Sequence, residues 1–402
     1  MIATPYLPPS RMLTASLCRC RSAAAAAVRR PCRRSLSSAG VGRPKVVRTD
    51  AEQCVPGLME GLAARGCELV ELPEVGTTEA ALAEAVAGAT VLLHCYTPVT
   101  RKVFEAGAPT LRAVVKYGVG VDAIDFAAAR DHGVAVANIP EYGEETVAEG
   151  AFYLLISLAK KSKRVQSAMV SEECWAWPTD HFLGSDLAGK RLAMLGNGRI
   201  GQAMARMARG FRMELSCFDP YVSKEDMAAQ GIAKVDSLSE LCSGADALSI
   251  HTVLNDETRG IIGSAELAAL PEHAVVVNVS RGPIINEEAL ALAVEEERIG
   301  GIGVDVFGQE PLDRESHPFA RLIDDDRCIF TPHLAFWTAE ARERLEAEAL
   351  ERCIEALEGE PLTVLSHDPR LVAQASDGGA AKVRLGGVSS ASGRWVTPPE
   401  AS

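Results

Sequence analysis

One short stretch, Gly196-Asn197-Gly198-Arg199-Ile200-Gly201, constrains this chain more than any other. It follows an apolar run suited to a strand, Arg191–Leu195, and it opens a helical stretch, Ile200–Gly210. In that setting each glycine has a task. Gly196 permits a tight turn, Gly198 lets the backbone approach a pyrophosphate, and Gly201 lets the helix sit close to the strand. The helix N-terminus adds free N–H groups and partial positive charge for the phosphates. The next strand, Glu214–Phe218, ends at Asp219, 18 residues past Gly201. A carboxylate there accepts hydrogen bonds from the adenosine ribose hydroxyls and repels a 2′-phosphate, so the pattern points to NAD rather than NADP.

The surrounding sequence supplies the fold this motif needs. From Pro44 onward apolar strands alternate with helical stretches. Strands are predicted at Lys45–Arg48, Cys67–Leu72, Thr90–His94, Arg112–Tyr117 and Val134–Asn138. Helices fall between them at Ala51–Ala64, Glu79–Ala87, Val103–Ala106 and Ala123–Asp131. A longer helix, Glu144–Lys161, is apolar around much of its circumference, which suits burial. A looser segment with Trp175 and Trp177 follows. The alternation then resumes, with strands at Arg191–Leu195, Glu214–Phe218, Ala247–His251, Ala274–Val279, Gly301–Val306 and Cys328–Thr331. Such alternation implies βαβ units and parallel sheets, hence an α/β chain with two lobes, the second a full dinucleotide-binding fold. Thr338–Leu357 reads as a last amphipathic helix, and from about Asp377 the composition turns to Gly, Ala, Ser and Pro, as in disordered tails.

Three polar residues follow predicted strands, where ligands bind in open α/β sheets. Reducing a ketone with a nicotinamide requires a held substrate, a polarised carbonyl and a delivered proton. Arg281, in Asn278-Val279-Ser280-Arg281-Gly282, suits the first two tasks through its charged fork. His333, in Thr331-Pro332-His333, can supply a proton near neutral pH. Glu310, before Pro311, could stabilise the imidazolium and orient its ring. Singly, each has a plainer reading as a solvated charge, a packing histidine or a turn residue.

The pattern as a whole resembles the D-isomer-specific 2-hydroxyacid dehydrogenase family. The matching segments are Tyr117-Gly118-Val119-Gly120-Val121-Asp122-Ala123-Ile124-Asp125, Thr146-Val147-Ala148-Glu149, the glycine fingerprint, Asn278–Gly282, Gly303-Val304-Asp305-Val306-Phe307-Gly308-Gln309-Glu310-Pro311 and Thr331-Pro332-His333. They keep the family's order from about residue 45 to 365. The resemblance implies two flavodoxin- or Rossmann-like lobes, with the cofactor lobe inserted in the substrate lobe. Residues 44–145 and 335–366 would form the substrate lobe, 146–334 the NAD lobe and 367–402 a disordered tail. It implies homodimers, often formed through the cofactor lobe. It makes Arg281, Glu310 and His333 the catalytic set, and has Val119, Gly120 and Arg281 bind the substrate carboxylate. NAD would be contacted by Val119, Gly196, Gly198, Arg199, Ile200, Gly201, Asp219, Thr252, Val279, Ser280, Arg281, Asp305 and His333.

Family members acting on 3-phosphoglycerate typically carry an Arg near the loop that here reads His94-Cys95-Tyr96-Thr97-Pro98, and none occurs before Arg101. A phosphorylated acid calls for a cation on its phosphate. The expected substrate is therefore a small unphosphorylated 2-keto acid such as hydroxypyruvate, glyoxylate or pyruvate, interconverted with its D-2-hydroxy acid, although His94 could stand in for the missing cation. Phe336-Trp337 could either narrow the pocket or pack the closing helix. Two other readings stay open: a D-3-phosphoglycerate dehydrogenase, and an NAD-binding scaffold like the C-terminal-binding corepressors, which share the fold.

Charge bears on partners and address. Residues 1–48 hold ten Arg or Lys and no acid, so the rest of the chain is ten units more negative than the net −13 of the whole. A body that acidic repels nucleic acid. The basic, Ser- and Ala-rich start through residue 43 reads as a mitochondrial or plastid transit peptide, with a cytoplasmic protein as the alternative. The Ala23–Val28 run is too short to span a bilayer, as are all later apolar stretches. The eleven cysteines show no C-x-x-C pair and no metal-ligand spacing, which favours free thiols and predicts no metal site.

Overall fold

The structure, a computed structural model, describes residues 43–73, 76–171, 175, 177–366 and 368–374, and the backbone of 381–383. The expected transit segment lies outside the described residues except for Arg43. The first part of the chain alternates β1 (Lys45–Arg48), α1 (Pro56–Ala63), β2 (Glu68–Glu71), α2 (Glu79–Val86), β3 (Val91–His94), α3 (Arg101–Gly107), β4 (Ala113–Lys116), α4 (Phe126–Asp131) and β5 (Ala135–Asn138). These strands form one parallel sheet in the order β2-β1-β3-β4-β5, the doubly wound flavodoxin-like order. Its central strands are buried along their whole length because helices cover both faces.

Two helices follow, α5 (Glu144–Ala159) and α6 (Ser162–Val170). The second sheet is built from β6 (Arg191–Leu195), α7 (Arg199–Gly210), β7 (Glu214–Phe218), α8 (Lys224–Ala229), β8 (Ala233–Lys234), α9 (Leu238–Cys242), β9 (Ala247–Ile250), α10 (Ser264–Ala269), β10 (Val275–Asn278), α11 (Glu287–Glu295), β11 (Gly301–Val304) and β12 (Cys328–Phe330). Its order, β12-β11-β10-β9-β6-β7-β8, reverses direction between β6 and β9, which is the switch point of a dinucleotide-binding sheet. The helix α5 leaves the first sheet and packs on the second: Leu154, Leu155 and Leu158 join Leu192, Met194 and Val277 in one core. Gly303 makes room for it, since a Cβ there would come 2.9 Å from that of Leu154. After β12 the chain returns through α12 (Ala339–Glu358), whose Leu345, Ala349 and Cys353 share a core with Leu58 of α1 and with Leu93 and Val115 of the first sheet. The expected two-lobed α/β architecture, with the second lobe inserted in the first, is the one the chain forms.

Local chemistry moved several boundaries. The helix expected over Ala51–Ala64 begins only at Pro56, whose missing N–H and fixed φ suit a first turn. The one expected over Ala123–Asp131 begins at Phe126, because the Asp125 carboxylate accepts the Ala128 N–H as an N-cap. The segment expected to be loose after Lys161 opens with α6, set off from α5 by Lys161 at φ 50°. The tail expected to be disordered from residue 367 is ordered at its start. Asp368 caps a short helix, α13 (Pro369–Ala373), and Leu371 is buried against the first sheet. Beyond it, β14 (Ala381–Val383) pairs in parallel with β13 (Leu362–Val364).

Candidate active site

The carboxyl ends of β6, β7 and β9 to β12 bring nearly all the predicted residues to one edge of the second sheet. Gly196 follows β6 at φ +96°, and a Cβ on it would come 2.9 Å from the His251 carbonyl carbon just past β9. The glycine turn therefore sits at the switch point. At Gly201 a Cβ would meet the Gly196 carbonyl oxygen at 2.4 Å, so this glycine is needed for the helix to close on the turn. Gly198 differs: a Cβ there would meet no protein atom within 4 Å. Its lack of a side chain serves open space in front of the α7 N-terminus, the space a pyrophosphate would take. Asp219 fixes the loop by accepting the Asn197 N–H at 2.8 Å and the Tyr221 N–H at 2.9 Å, and it stays partly exposed beside that space. These residues fit a dinucleotide.

The other predicted cofactor residues fall into place with different jobs. The Arg199 guanidinium is occupied by Glu141 at 3.2 Å, Glu144 at 3.8 Å and the Leu365 carbonyl at 3.3 Å, so what it offers a cofactor is its backbone N–H. Ile200 packs partly into the core under the helix. The Thr252 carbonyl accepts the Ser280 hydroxyl at 2.9 Å, tying the ends of β9 and β10. Val279 is buried beside them.

The geometry of His333 is imposed by Asp305. That carboxylate is buried and receives the Thr331 hydroxyl at 2.5 Å and the N–H groups of Leu334 and Ala335 at 2.9 and 3.0 Å. Its own carbonyl accepts the His333 N–H at 2.8 Å. This clamp holds His333 at φ 55°, a left-handed conformation that costs a non-glycine residue about 1 kcal/mol. Burial pushes the Asp305 carboxyl up, and the Thr331 and backbone donors pull against it. Asp305, expected among the NAD contacts, is the structural keystone of the histidine turn.

Glu310 faces the imidazole, with its Oε2 2.8 Å from His333 Nδ1. Its Oε1 accepts the Phe307 N–H at 2.8 Å. Burial raises the Glu310 carboxyl, but the His333 hydrogen bond and charge, the Phe307 N–H and Arg281 outweigh it and hold the group below the usual carboxylate range. Gly282 packs this loop against the arginine loop: a Cβ there would sit 2.1 Å from the Phe307 carbonyl carbon. Arg281 is fastened by Nη1 to the Ser280 carbonyl at 2.7 Å and by Nε to Asp122 at 3.2 Å. Its Nη2 lies over Gly120, where any Cβ would come within 1.6 Å of it. Val119 is exposed beside Gly120, and its carbonyl accepts the Asn138 amide at 2.6 Å.

Sequence reasoning missed Tyr96, Tyr142 and Asp122. The Tyr96 ring lies 5.2 Å from that of His333, and Phe336 lies 6.1 Å from it on another side and 6.0 Å from Tyr142. Phe336 thus walls the site and packs the closing helix together. The aromatic walls come from distant loops, so no local spacing could have signalled them. Asp122 stood inside a quoted motif, but nothing in the sequence pairs it with Arg281.

The chain matches known proteins along most of the described length. Residues 152–335 match the family model described as D-isomer specific 2-hydroxyacid dehydrogenase, NAD binding domain. A D-3-phosphoglycerate dehydrogenase of Methanocaldococcus jannaschii is 36% identical over 286 residues, 71% of this chain and 53% of that protein. A glyoxylate reductase of Korarchaeum cryptofilum is 36% identical over 265 residues, 65% of this chain and 78% of that protein. The crystal structure of a D-lactate dehydrogenase from Aquifex aeolicus, complexed with NAD and lactic acid, superposes with a TM-score of 0.70 at 25% identity, covering 82% of this chain and 97% of that one. The chain spans about half the length of the D-3-phosphoglycerate dehydrogenases it matches.

Proposed function

The chain belongs to the D-isomer-specific 2-hydroxyacid dehydrogenase family and carries its NAD-binding domain, and from that premise we propose that it reduces a small unphosphorylated 2-keto acid to the D-2-hydroxy acid. The observation that carries this reading is the 2.8 Å contact between His333 Nδ1 and Glu310. With Nδ1 engaged, Nε2 is the ring nitrogen left to serve the pocket. The turn Gly196 to Gly201, Asp219 and the loops after β9 to β12 would hold NADH, which would supply the hydride for C2. Arg281 holds the substrate carboxylate and polarises the carbonyl through its fork, and the backbone N–H groups of Val119 and Gly120 face the same carboxylate. His333 gives its Nε2 proton to the carbonyl oxygen as the alcohol forms, while Glu310 stabilises the charged ring beforehand. Closure of the two lobes excludes water from the reacting carbonyl.

An unphosphorylated substrate is favoured because the cations near the pocket are spent. His94 is fully buried, its Nδ1 lies 2.8 Å from the Thr97 carbonyl, and burial beside Lys116 depresses its pKa to about 3. It is neutral at any working pH and offers a phosphate no charge. Lys116 is buried beneath the Tyr96 ring and donates to the Cys95 carbonyl at 2.6 Å. The test is NADH oxidation with hydroxypyruvate, glyoxylate, pyruvate and phosphohydroxypyruvate. Highest kcat/KM on one of the first three supports the reading, and clear preference for phosphohydroxypyruvate overturns it.

The protein works as a homodimer formed through the cofactor lobe. Supporting this are the apolar side chains that α5, α6 and the following segment leave in water: Tyr153, Met169, Val170, Trp175, Trp177 and Leu183. The acid-free, basic N-terminal sequence supports organellar import.

A further inference from the structure

The segment beyond the closing helix reaches Asp122, the carboxylate that holds Arg281. Arg281 is long, flexible and 32% exposed, and Asp122, 34% exposed, holds its Nε. The other oxygen of Asp122 lies 3.6 Å from Nη2 of Arg370, on α13. Arg370 is itself fixed. Its Nε and Nη2 grip Asp368 at 3.0 and 2.7 Å, and its guanidinium lies 5.5 Å from the centre of the Phe126 ring. The segment that carries it is anchored twice. Leu371 is fully buried among Val47, Val114 and Val136. The Gln374 side-chain amide accepts the Val136 N–H at 2.7 Å and donates to the Val136 carbonyl at 3.1 Å, closing the free edge of β5 as a further strand would.

We propose that Arg370 and Asp122 are positioning residues for Arg281, so that the C-terminal segment completes the substrate-binding site. A carboxylate bound to one arginine alone would draw that guanidinium toward itself and compete with the substrate carboxylate. Shared between two guanidiniums, Asp122 steers the Arg281 fork while its charge is partly answered by Arg370. Gly120 completes the arrangement by leaving Nη2 of Arg281 unobstructed. The inference rests on the proposed role of Arg281 in holding the substrate.

The experiment is Arg370→Met, Arg370→Lys, Asp122→Asn and the Arg370→Met/Asp122→Asn pair, each measured for KM, kcat, NADH affinity and Tm. Arg370→Met is expected to raise the keto-acid KM by about three- to tenfold, the effect of one partly exposed ion pair. NADH affinity stays unchanged, and Arg370→Lys restores part of the loss. The double variant is expected to be no worse than Asp122→Asn alone, since Arg370 acts through Asp122. A lower Tm with unchanged KM, or additive losses in the double variant, overturns the proposal by making Arg370 a fastener of the tail only. Should Arg370→Met fail to fold, Arg370→Gln takes its place. If the wild type turns over no keto acid, the functional reading fails by itself. The positioning role is then read from a crystal structure of the variant: a displaced Arg281 side chain supports it, and an unmoved one overturns it.

Discussion

At the scale of single residues the account rests on His333 and Glu310. Glu310 is held below the usual carboxylate range, so the folded protein binds a proton there less readily than the unfolded chain. Its contribution to stability is therefore present above the ordinary carboxyl value and is lost as pH falls through the lower folded value. Glu310 thus stays charged across the working range. Glu310→Gln keeps the hydrogen-bonding shape and removes the charge, and kcat is expected to fall by about a hundredfold with NADH affinity preserved. His333→Ala should lose about a hundred- to ten-thousandfold in turnover, again with NADH still bound, as read by fluorescence titration. Normal turnover in that variant would remove His333 from the mechanism. Arg281, Glu310 and His333 stood out in the sequence because each follows a predicted strand, and the family resemblance joined them into one set. Asp122 could not, because the partner that gives it meaning lies more than a hundred residues away.

At the scale of elements, the glycine turn separates folding from binding. Gly201 is needed by the protein itself, whereas Gly198 borders only open space. Gly201→Ala should destabilise the fold, by about 1–3 kcal/mol for an overpacked contact. Gly198→Ala should leave Tm unchanged and weaken NADH binding at least tenfold, as titration of the two variants would show. The reverse ranking would contradict the placement of the cofactor. The closing helix α12 carries a different signature. Burial pushes Glu348 up to about 7, with Glu141 and Glu351 adding to it and Arg352 opposing. The folded chain then keeps a proton the unfolded chain has released, so stability falls as pH rises from about 4.5 to about 7. Glu348→Gln should match the wild type at pH 5 and exceed it at pH 8 by on the order of 1 kcal/mol after solvent screening, by denaturant unfolding. The strands and helices were largely legible, since parallel sheets bury continuous apolar runs that stand out in a sequence. The starts of α1 and α4 were not, because a proline and an aspartate cap override the apolar pattern. Nor was the ordered tail, whose anchors Leu371 and Gln374 find partners only on the folded first sheet.

At the scale of the whole molecule, two lobes bring the substrate loops and the cofactor edge to one place, and the chain crosses between them through α5 and α12. The exposed apolar face on α5 and α6 should bury itself in a second copy. Met169→Glu with Val170→Glu is expected to shift the protein from dimer to monomer in light scattering, and a wild-type monomer would contradict that assembly. Residues 1–43 fused to a fluorescent protein should reach the mitochondrion or plastid, whereas diffuse cytoplasmic signal would argue against import. The central claim, hydride transfer from NADH to C2 of a 2-keto acid, is tested most directly by isotope. The enzyme is incubated with NADH deuterated at both C4 positions and hydroxypyruvate, glyoxylate or pyruvate, and the product is analysed by mass spectrometry and, for hydroxypyruvate and pyruvate, chiral chromatography. The account predicts one deuterium at C2, with the D-2-hydroxy acid formed from hydroxypyruvate or pyruvate. An undeuterated or L product would contradict it, and no product while NADH stays bound would contradict it and leave an NAD-binding scaffold.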